Sequence, residues 1–276
     1  MRIALLAVIC TLCLATTPAS AAESYDNCAG TITSLPAVID TQGVWCLKSD
    51  LSTAITTGEA IRVEANNVTI DCNGFKIGGL AGGTATGARG INANLVLNTT
   101  IRGCNVRGFF YAVVLGGGGG HVVEDNRFDG STFAGLYSSS DGVTIQRNQF
   151  VDTGGSTIIS TAYGMHVSGF SHIADNSIFG VSASGGSTAI GISMTSPGSI
   201  VDNRVSGVTS PTGLAHGIAV QNNYGLVADN YIYGNVGQTD TGIHCSNTST
   251  IARDNSIAET VTGITNCASF GNVVQL

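Results

Sequence analysis

The chain has 276 residues, of which 11% are charged and 6% are aromatic, and its formal net charge at pH 7 is −7. This composition excludes a disordered chain, which would carry more charge and less apolar content, and 18 acidic against 11 basic residues leave no basic face for nucleic acid. The 38 glycines and the frequent Ser, Thr, Asn and Val leave little room for long helices, so the sequence predicts an all-β protein.

The first segment, residues 1–22, has the pattern of a secretory signal peptide. A positive charge at Arg2 precedes an apolar stretch over 3–15, and small residues follow it. Cleavage is predicted before Ala22 or Glu23. The apolar stretch is too short to span a bilayer, and no later stretch reaches that length. The sequence therefore predicts an exported protein, extracellular or periplasmic, without membrane insertion after cleavage.

A repeat of 21 to 32 residues organises the rest of the chain. Each copy contains an apolar strand followed by an asparagine; the eight are Asn73, Asn105, Asn126, Asn148, Asn176, Asn203, Asn230 and Asn255. A Gly-Ile-like pair, such as Gly164-Met165 or Gly242-Ile243, begins another strand in most copies. A propeller blade would be longer, and leucine-rich repeats would show leucine ladders and helices. Three short strands per repeat predict a parallel β-helix of about 8–9 coils over 59–276.

The asparagines are predicted to stack in one column. A tight corner between two strands favours left-handed backbone geometry, which asparagine tolerates. At the ~4.7–4.9 Å strand spacing, stacked amides can hydrogen-bond from coil to coil. Eight unrelated surface turns are the alternative, but an apolar residue regularly follows two places after each asparagine, which favours the stack.

Over residues 43–275 the chain resembles the secreted right-handed parallel β-helix proteins of the pectate-lyase-like superfamily. The most specific stretches are Trp45–Leu51, Ala60–Val63 and Val68–Gly74. The resemblance implies that the Gly-Ile strand is the first strand of a coil, the strand before Asn the second, and the apolar strand after it the third. It also implies that the outward face of the first strands is the functional groove.

Residues 23–58 are predicted to form an N-terminal cap, because an uncapped solenoid would expose its core and a strand edge. We expect Trp45, Leu47 and Leu51 to plug the apolar end. A sugar-stacking role for Trp45 is the alternative.

Six cysteines follow the signal segment, an even number that indicates disulfides in an exported chain. Cys72 and Cys104 each precede an asparagine of the column, which places their Cα atoms within disulfide range. The last two cysteines follow Gly242 and Gly263 on adjacent coils, and the first two remain for the cap. The predicted disulfides are Cys28–Cys46, Cys72–Cys104 and Cys245–Cys267. Metal binding is the alternative, but the sequence has no CxxC or His-x-x-x-His spacing.

The outward positions of the first strands predict the floor of a groove, formed by Tyr137, His166, Ser193, Ala219 and His244. Variable connections between third and first strands would wall it. The predicted substrate contacts are Tyr137, Tyr163, His166 and Ser193. This floor contains no Asp or Glu, so the catalytic motifs of pectate lyases and polygalacturonases cannot be carried over to any residue.

The best acid–base candidates are His216, Asp240 and His244. They flank the Gly-Ile pairs of two adjacent coils and could lie within ~5–8 Å of one another. A carboxylate beside an imidazole can tune it for proton transfer near neutral pH. The alternative is a set of polar residues on a hydrated groove wall.

Four aspartates occupy the position before the asparagine: Asp175, Asp202, Asp229 and Asp254. Stacked at ~4.8 Å, adjacent carboxylates would repel one another by about 1–3 kcal/mol. Hydrogen bonds from corner N–H groups, neighbouring cations such as Arg204 and Arg253, and raised carboxyl pKa values are candidate explanations. A ladder of bound Ca²⁺ is a further one. No other cofactor is required.

Three functions remain open at this point. The first is a secreted groove protein that binds polysaccharide along the solenoid. The second is a polysaccharide lyase, epimerase or hydrolase that uses His216, Asp240 and His244. The third is a structural or surface-interaction protein without catalytic activity.

Overall fold

The structure, a computed structural model, describes residues 27–221 and 224–276. The predicted signal segment 1–22 lies outside the described residues. No helix in the described part of the chain has the length and apolar character needed to cross a bilayer. A short 3-10 helix is present at Leu80–Gly82.

Short strands make up most of the described chain. The first ten are β1 (Gly30–Ile32), β2 (Ala37–Ile39), β3 (Gly43–Leu47), β4 (Leu51–Ser52), β5 (Glu59–Val63), β6 (Val68–Asp71), β7 (Lys76–Gly78), β8 (Arg89–Asn94), β9 (Thr100–Arg102) and β10 (Asn105–Arg107). The next ten are β11 (Tyr111–Gly116), β12 (Val122–Glu124), β13 (Arg127–Asp129), β14 (Ala134–Ser138), β15 (Val143–Gln146), β16 (Gln149–Gly154), β17 (Ala162–Val167), β18 (Ser171–Ala174), β19 (Ser177–Ser182) and β20 (Ala189–Met194). The last ten are β21 (Gly198–Val201), β22 (Arg204–Val220), β23 (Gly225–Ala228), β24 (Tyr231–Tyr233), β25 (Val236–Cys245), β26 (Ile251–Arg253), β27 (Ser256–Ala258), β28 (Thr262–Thr265), β29 (Ala268–Phe270) and β30 (Val273–Gln275).

These strands form three parallel ladders, one for each strand of the predicted coil. The second-strand ladder is an eleven-stranded sheet, β1-β3-β6-β9-β12-β15-β18-β21-β23-β26-β29. The first-strand ladder runs β2-β5-β8-β11-β14-β17-β20-β22-β25-β28, and the third-strand ladder β4-β7-β10-β13-β16-β19-β22-β24-β27-β30. The long strand β22 belongs to both of the latter, which joins them into one sheet. The predicted parallel β-helix is confirmed.

The core consists of the inward side chains of the three ladders. Ile91, Leu136 and Ile192 are fully buried in the first-strand ladder. Phe128 and Phe150 pack together in the third-strand ladder, with ring centroids 4.9 Å apart. Because like residues lie over like, each coil covers the apolar surface of the next, as expected for a solenoid.

The left-handed corner position belongs to the residue before the asparagine. Asp202 has a φ of 55° and Arg147 a φ of 55°, and glycines continue the column at its ends as Gly103 and Gly271, with φ values of 60° and 61°. Aspartate tolerates this conformation better than most residues. The expectation that the asparagine itself adopts it holds at Asn73, with a φ of 49°, and was wrong for the asparagines from Asn126 to Asn255.

The asparagine ladder is confirmed over most of its length. Asn203 donates its backbone N–H to Asn230 Oδ1 (2.9 Å), and its Nδ2 donates to the same oxygen (3.1 Å) and to Ile173 O (3.0 Å). The same pattern joins the members Asn126, Asn148, Asn176, Asn203, Asn230, Asn255 and Asn272. These bonds satisfy buried amides that would otherwise be costly.

The predicted column was wrong at Asn105. Arg102 pairs with Asp71 on one side and with Glu124 on the other, and Asn105 aligns with Arg127 rather than with Asn126. Asn105 lies three residues after Arg102, whereas Asn126 lies two residues after Glu124, so the two asparagines fall one position apart. Cys104 instead takes the ladder position, where its N–H donates to Asn126 Oδ1 (2.9 Å).

The three predicted disulfides are all present. The Cα atoms lie 5.9 Å apart in Cys28–Cys46, 4.7 Å apart in Cys72–Cys104 and 5.2 Å apart in Cys245–Cys267. All of these distances fall in the range that a disulfide can bridge.

The described part of the predicted cap continues the same ladders through β1 to β4. Leu47 is fully buried, and the Trp45 ring packs against Gly30, where a Cβ would lie only 2.5 Å from the ring. Trp45 Nε1 donates to Thr41 O (3.1 Å). These contacts make Trp45 a packing residue of the N-terminal coil.

Candidate functional site

The outward side chains of the first-strand ladder form one continuous surface, which we call the groove face. Its central column is Arg62, Asn92, Val114, Tyr137, His166, Ser193, Ala219, His244 and Thr265. The five residues predicted for the groove floor therefore align as expected. The column also extends beyond them in both directions.

Two further columns flank the central one. The first contains Glu59, Arg89, Tyr111, Ala134, Tyr163, Ile190, His216, Thr241 and Thr262. On the other side lies a column of mostly hydroxyl residues, in which each backbone N–H donates to a carbonyl of the preceding coil: Ser139, Ser168, Thr195, Gln221 and Ser246. Rings, imidazoles and hydroxyl groups thus lie side by side on the groove face.

Aromatic rings form a continuous cluster on coils β11, β14 and β17, which we call the aromatic run. Tyr137 lies 5.6 Å from Tyr111 and 5.6 Å from His166, measured between ring centroids, and it stacks on His166. Tyr163 lies 5.1 Å from His166 and 5.6 Å from Phe133. Burial raises the pKa of Tyr111 and Tyr163, so both phenols stay protonated and neutral at physiological pH.

A pocket of about 530 Å³ adjoins the aromatic run toward the N-terminus, and we call it the charged pocket. Its lining includes Glu59, Arg62, Glu64, Arg89, Asn92, Val114 and Tyr137. Arg62 pairs with Glu64 and Arg89 with Glu59, each at 3.0 Å. Glu59 and Glu64 thus bring acidic side chains to the first coils, outside the five-residue floor, which itself contains no Asp or Glu.

The structure brings two of the three acid–base candidates together. The rings of His216 and His244 stack with centroids 5.0 Å apart. Burial, and secondly the charge of His244, lower the pKa of His216 to about 4. His244 Nδ1 lies 2.8 Å from Thr265 Oγ1, whereas the buried His216 Nδ1 has no hydrogen-bond partner among the described residues.

Asp240 is not hydrogen-bonded to either imidazole. It aligns with the inward-facing Ala215, and its Oδ1 accepts a hydrogen bond from the backbone N–H of Val261. The carboxylate thus secures the next turn of the chain. The two stacked imidazoles therefore have no carboxylate of Asp240 hydrogen-bonded to them.

The predicted contact residues His166 and Ser193 interact directly. His166 Nδ1 lies 3.1 Å from Ser193 Oγ, on the adjacent strand of the same column. Burial lowers the pKa of His166. The imidazole is therefore neutral near pH 7 and can both donate and accept a hydrogen bond.

The aspartate column lies on a corner away from the groove face. Asp175 and Asp202 are exposed, and Arg253 pairs with Asp254 (2.6 Å) and approaches Asp229 (4.0 Å). Within residues 27–221 and 224–276, no three His, Cys, Asp or Glu side chains gather into a group that could hold a metal ion. The side chains present do not fit a three-ligand calcium site.

A second depression, of about 480 Å³, lies on the outward surface of the third-strand ladder. Tyr231 and Tyr233 border it with parallel rings 6.4 Å apart, beside Arg204. This surface is separated from the groove face by the corners of the coil.

A groove on the first strands of a parallel solenoid is the architecture of a β-helix protein with an elongated surface. Residues 89–274 match the family model of the right-handed β-helix region, so the chain belongs to that family. Comparison with curated proteins found no match.

Two solved structures of tailspike protein mutants of E. coli bacteriophage HK620 are similar to this chain. The first, in complex with a pentasaccharide, is 10% identical, with a TM-score of 0.52, over 89% of this chain and 56% of that one. The second, a double mutant, is 10% identical, with a TM-score of 0.50, over 91% and 61%. The chain thus spans little more than half the length of the tailspike. At this identity the similarity shows the fold alone.

A third solved structure is the A-module of mannuronan C-5 epimerase AlgE6 from Azotobacter vinelandii. It is 12% identical to this chain, with a TM-score of 0.48, over 91% of this chain and 92% of that module.

Proposed function

We propose that this protein is an exported β-helix protein that binds a polysaccharide along the groove face. The observation that carries the proposal is the aromatic run, in which Tyr111, Tyr137, Tyr163 and His166 follow one another across adjacent coils at centroid distances of 5.1–5.6 Å. A ring face offers dispersion contacts to the C–H groups of a pyranose, and a tyrosine also keeps a polar edge for water or hydroxyl groups.

The rest of the groove face supplies the polar contacts that a glycan requires. Ser139, Ser168 and Thr195 continue one edge of it, and their hydroxyl groups can donate and accept hydrogen bonds. Successive coils repeat these groups at ~4.8 Å, which suits a ligand that is itself a repeating chain. The tailspike of similar fold was solved in complex with a pentasaccharide, which gives a precedent for this architecture and no assignment of residues.

Export is part of this proposal. Three disulfides join residues of the described chain, and such bonds persist in oxidising compartments. Detection of the protein in the periplasm or the culture medium, and its loss from there when residues 1–22 are deleted, would test this part.

The binding proposal is tested by Tyr137→Ala. The purified protein is applied to immobilised neutral and uronate glycans, and affinity is measured for each glycan that retains it. Loss of a largely buried ring face is worth ~1.5–3 kcal/mol, so we expect Tyr137→Ala to weaken binding by about tenfold or more. Tyr231→Ala, which removes a ring from the third-strand ladder, is the matched control and should leave affinity unchanged. Equal affinities for both variants and the unmodified protein would contradict the proposal, and retention on no glycan would favour a structural role.

A polysaccharide lyase, epimerase or hydrolase is the second candidate function. It is favoured by His216, whose pKa of about 4 leaves a neutral imidazole at pH 7 and whose buried Nδ1 has no hydrogen-bond partner among the described residues. New unsaturated ends that absorb in the ultraviolet would identify a lyase, and new reducing ends a hydrolase. His216→Ala should then abolish turnover while binding at Tyr137 persists; unchanged turnover would remove His216 from the site.

A further inference from the structure

The Asn92 side chain is an amide in the wall of the charged pocket, without a hydrogen-bond partner among the described residues. It lies in the central column of the groove face, only 6% of its surface is exposed, and it lines the charged pocket. The hydrogen bonds of the described chain include none to its Oδ1 or Nδ2. Its amide atoms are not among the fully buried side-chain atoms that lack a partner, so they reach the pocket, where a ligand group can hydrogen-bond to them.

The next two residues of the central column, Val114 and Tyr137, define the surface beside the Asn92 amide. Val114 is directly opposite Asn92 on the adjacent strand, and Tyr137 is directly opposite Val114. Val114 is 8% exposed and Tyr137 is half-buried, and both line the same pocket. Along the column, at ~4.8 Å per strand, the pocket therefore presents an amide, then a small apolar surface, then an aromatic ring.

The charges around the pocket cancel. Arg62 is neutralised by Glu64 and Arg89 by Glu59, each at 3.0 Å. An anionic sugar would have to displace one of these carboxylates from its arginine, and a cationic sugar would have to displace an arginine. The pocket therefore favours a sugar that is polar but uncharged.

We propose that the charged pocket is the subsite for an N-acetylated hexosamine of the glycan, an inference that rests on the proposed function. The acetamido carbonyl accepts a hydrogen bond from Asn92 Nδ2, while the acetamido N–H, which points the opposite way in a trans amide, is left for water or another group. The acetamido methyl group packs against Val114, and the pyranose face lies toward Tyr137. A sugar with a hydroxyl group in place of the acetamido group offers nothing to Val114.

The experiment uses a panel of defined oligosaccharides in pairs that differ only by an acetamido or a hydroxyl group at C2, together with oligogalacturonate. Affinities are measured by calorimetry for the unmodified protein, Asn92→Leu and Asn92→Asp. Asn105→Leu is the matched control, since Asn105 has an unpartnered Oδ1 but lies on the third-strand ladder. Melting temperatures establish that each variant is folded.

We expect the acetamido member of a pair to bind about tenfold or more tightly, as expected for a buried hydrogen-bonding group that otherwise stays unpaired. Asn92→Leu and Asn92→Asp should both remove this preference, and Asn105→Leu should keep it. Equal binding of both members, or a preference that survives in Asn92→Leu, overturns the subsite while the polysaccharide proposal stands. Binding of no glycan in the panel overturns both.

Discussion

The imidazole rings of His216 and His244 stack on adjacent strands of the groove face, with centroids 5.0 Å apart and planes inclined by 14°. Burial of His216 and the proximity of His244 together lower the pKa of His216 to about 4. Two stacked imidazoles cannot both become cations without strong repulsion. This pair therefore stays stable only while His216 is neutral.

We predict that acid destabilises the fold below pH 6.5 through its buried histidines. In the unfolded chain an imidazole has a pKa near 6.5, whereas burial lowers the pKa of His121, His166 and His216 in the fold. The unfolded state therefore binds more protons, and stability is present above pH 6.5 and falls as the pH drops through 6.5 toward 4. Melting temperatures recorded from pH 7.5 to 4.5 measure this loss.

Two variants test whether the buried imidazoles cause this loss of stability in acid. His216→Gln removes one buried titrating group, so its melting temperature should depend less on pH across the same window. His172 is exposed, and His172→Gln should retain the pH dependence of the unmodified protein. A His216→Gln curve parallel to that of the unmodified protein would show that other groups cause the acid sensitivity.

The fold could be predicted from the sequence because each coil of a solenoid repeats the same packing requirements at the same positions. Gly164 and Gly191 occupy one column since the carbonyl of the next coil leaves no room for a Cβ, and that requirement marks each first strand. The same periodicity placed Cys245 and Cys267 on adjacent coils and gave the correct disulfides. These features depend on spacing alone, which a sequence displays directly.

The misplaced residues are those whose positions depend on the length of one particular corner. Asn105 fits the motif, but it lies three residues after Arg102 whereas Asn126 lies two residues after Glu124, so Asn105 falls one position outside the asparagine ladder. Asn272 belongs to the ladder although it lies only 17 residues after Asn255, a spacing shorter than that of any two asparagines in the predicted column. Glu59 and Asn92 were missed because their importance comes from neighbours on other coils, which no local motif records.

We predict that Asn203→Ala destabilises the protein by about 2–3 kcal/mol. Asn203 is fully buried, and its side chain bonds to the coils on both sides. Alanine leaves several buried groups unsatisfied, at about 1–3 kcal/mol for each lost partner. Asn105→Ala is the control, because its Oδ1 has no partner among the described residues; it should cost much less. Denaturation midpoints in urea measure both, and equal effects would contradict the ladder as a stabilising element.

Substitutions in the aspartate column distinguish two reasons for aspartate at these positions, its left-handed backbone conformation and calcium binding. Asp202 has a φ of 55°, a conformation that costs ~1–2 kcal/mol for residues other than glycine, asparagine or aspartate. We expect Asp202→Asn to match or slightly exceed the stability of the unmodified protein, because it removes one charge from a column of like charges. Asp202→Val should lower stability by about 1–2 kcal/mol.

The same series tests the calcium ladder that the sequence suggested. Since no three-ligand group is found among the described side chains, we expect the melting temperature to be the same in EDTA and in millimolar Ca²⁺. A melting temperature that rises with Ca²⁺ to a plateau, and that loses this response in Asp202→Asn, would establish the ladder instead.

We predict that Gly191→Ala destabilises the protein by about 1–3 kcal/mol, the usual cost of an overpacked interior. A Cβ at position 191 would lie 2.6 Å from Gly217 O and would also clash with Val205. The carbonyl belongs to the ladder between β20 and β22. The clash can therefore be removed only if these two coils move apart next to His216. Gly87→Ala is the control, since a Cβ there would meet only Thr56 O at 3.7 Å, and it should be neutral or stabilise slightly. Urea unfolding of both variants tests the prediction. Equal midpoints would mean that the coils can yield at the glycine column, and the regular stacking that positions the groove face would then have another cause.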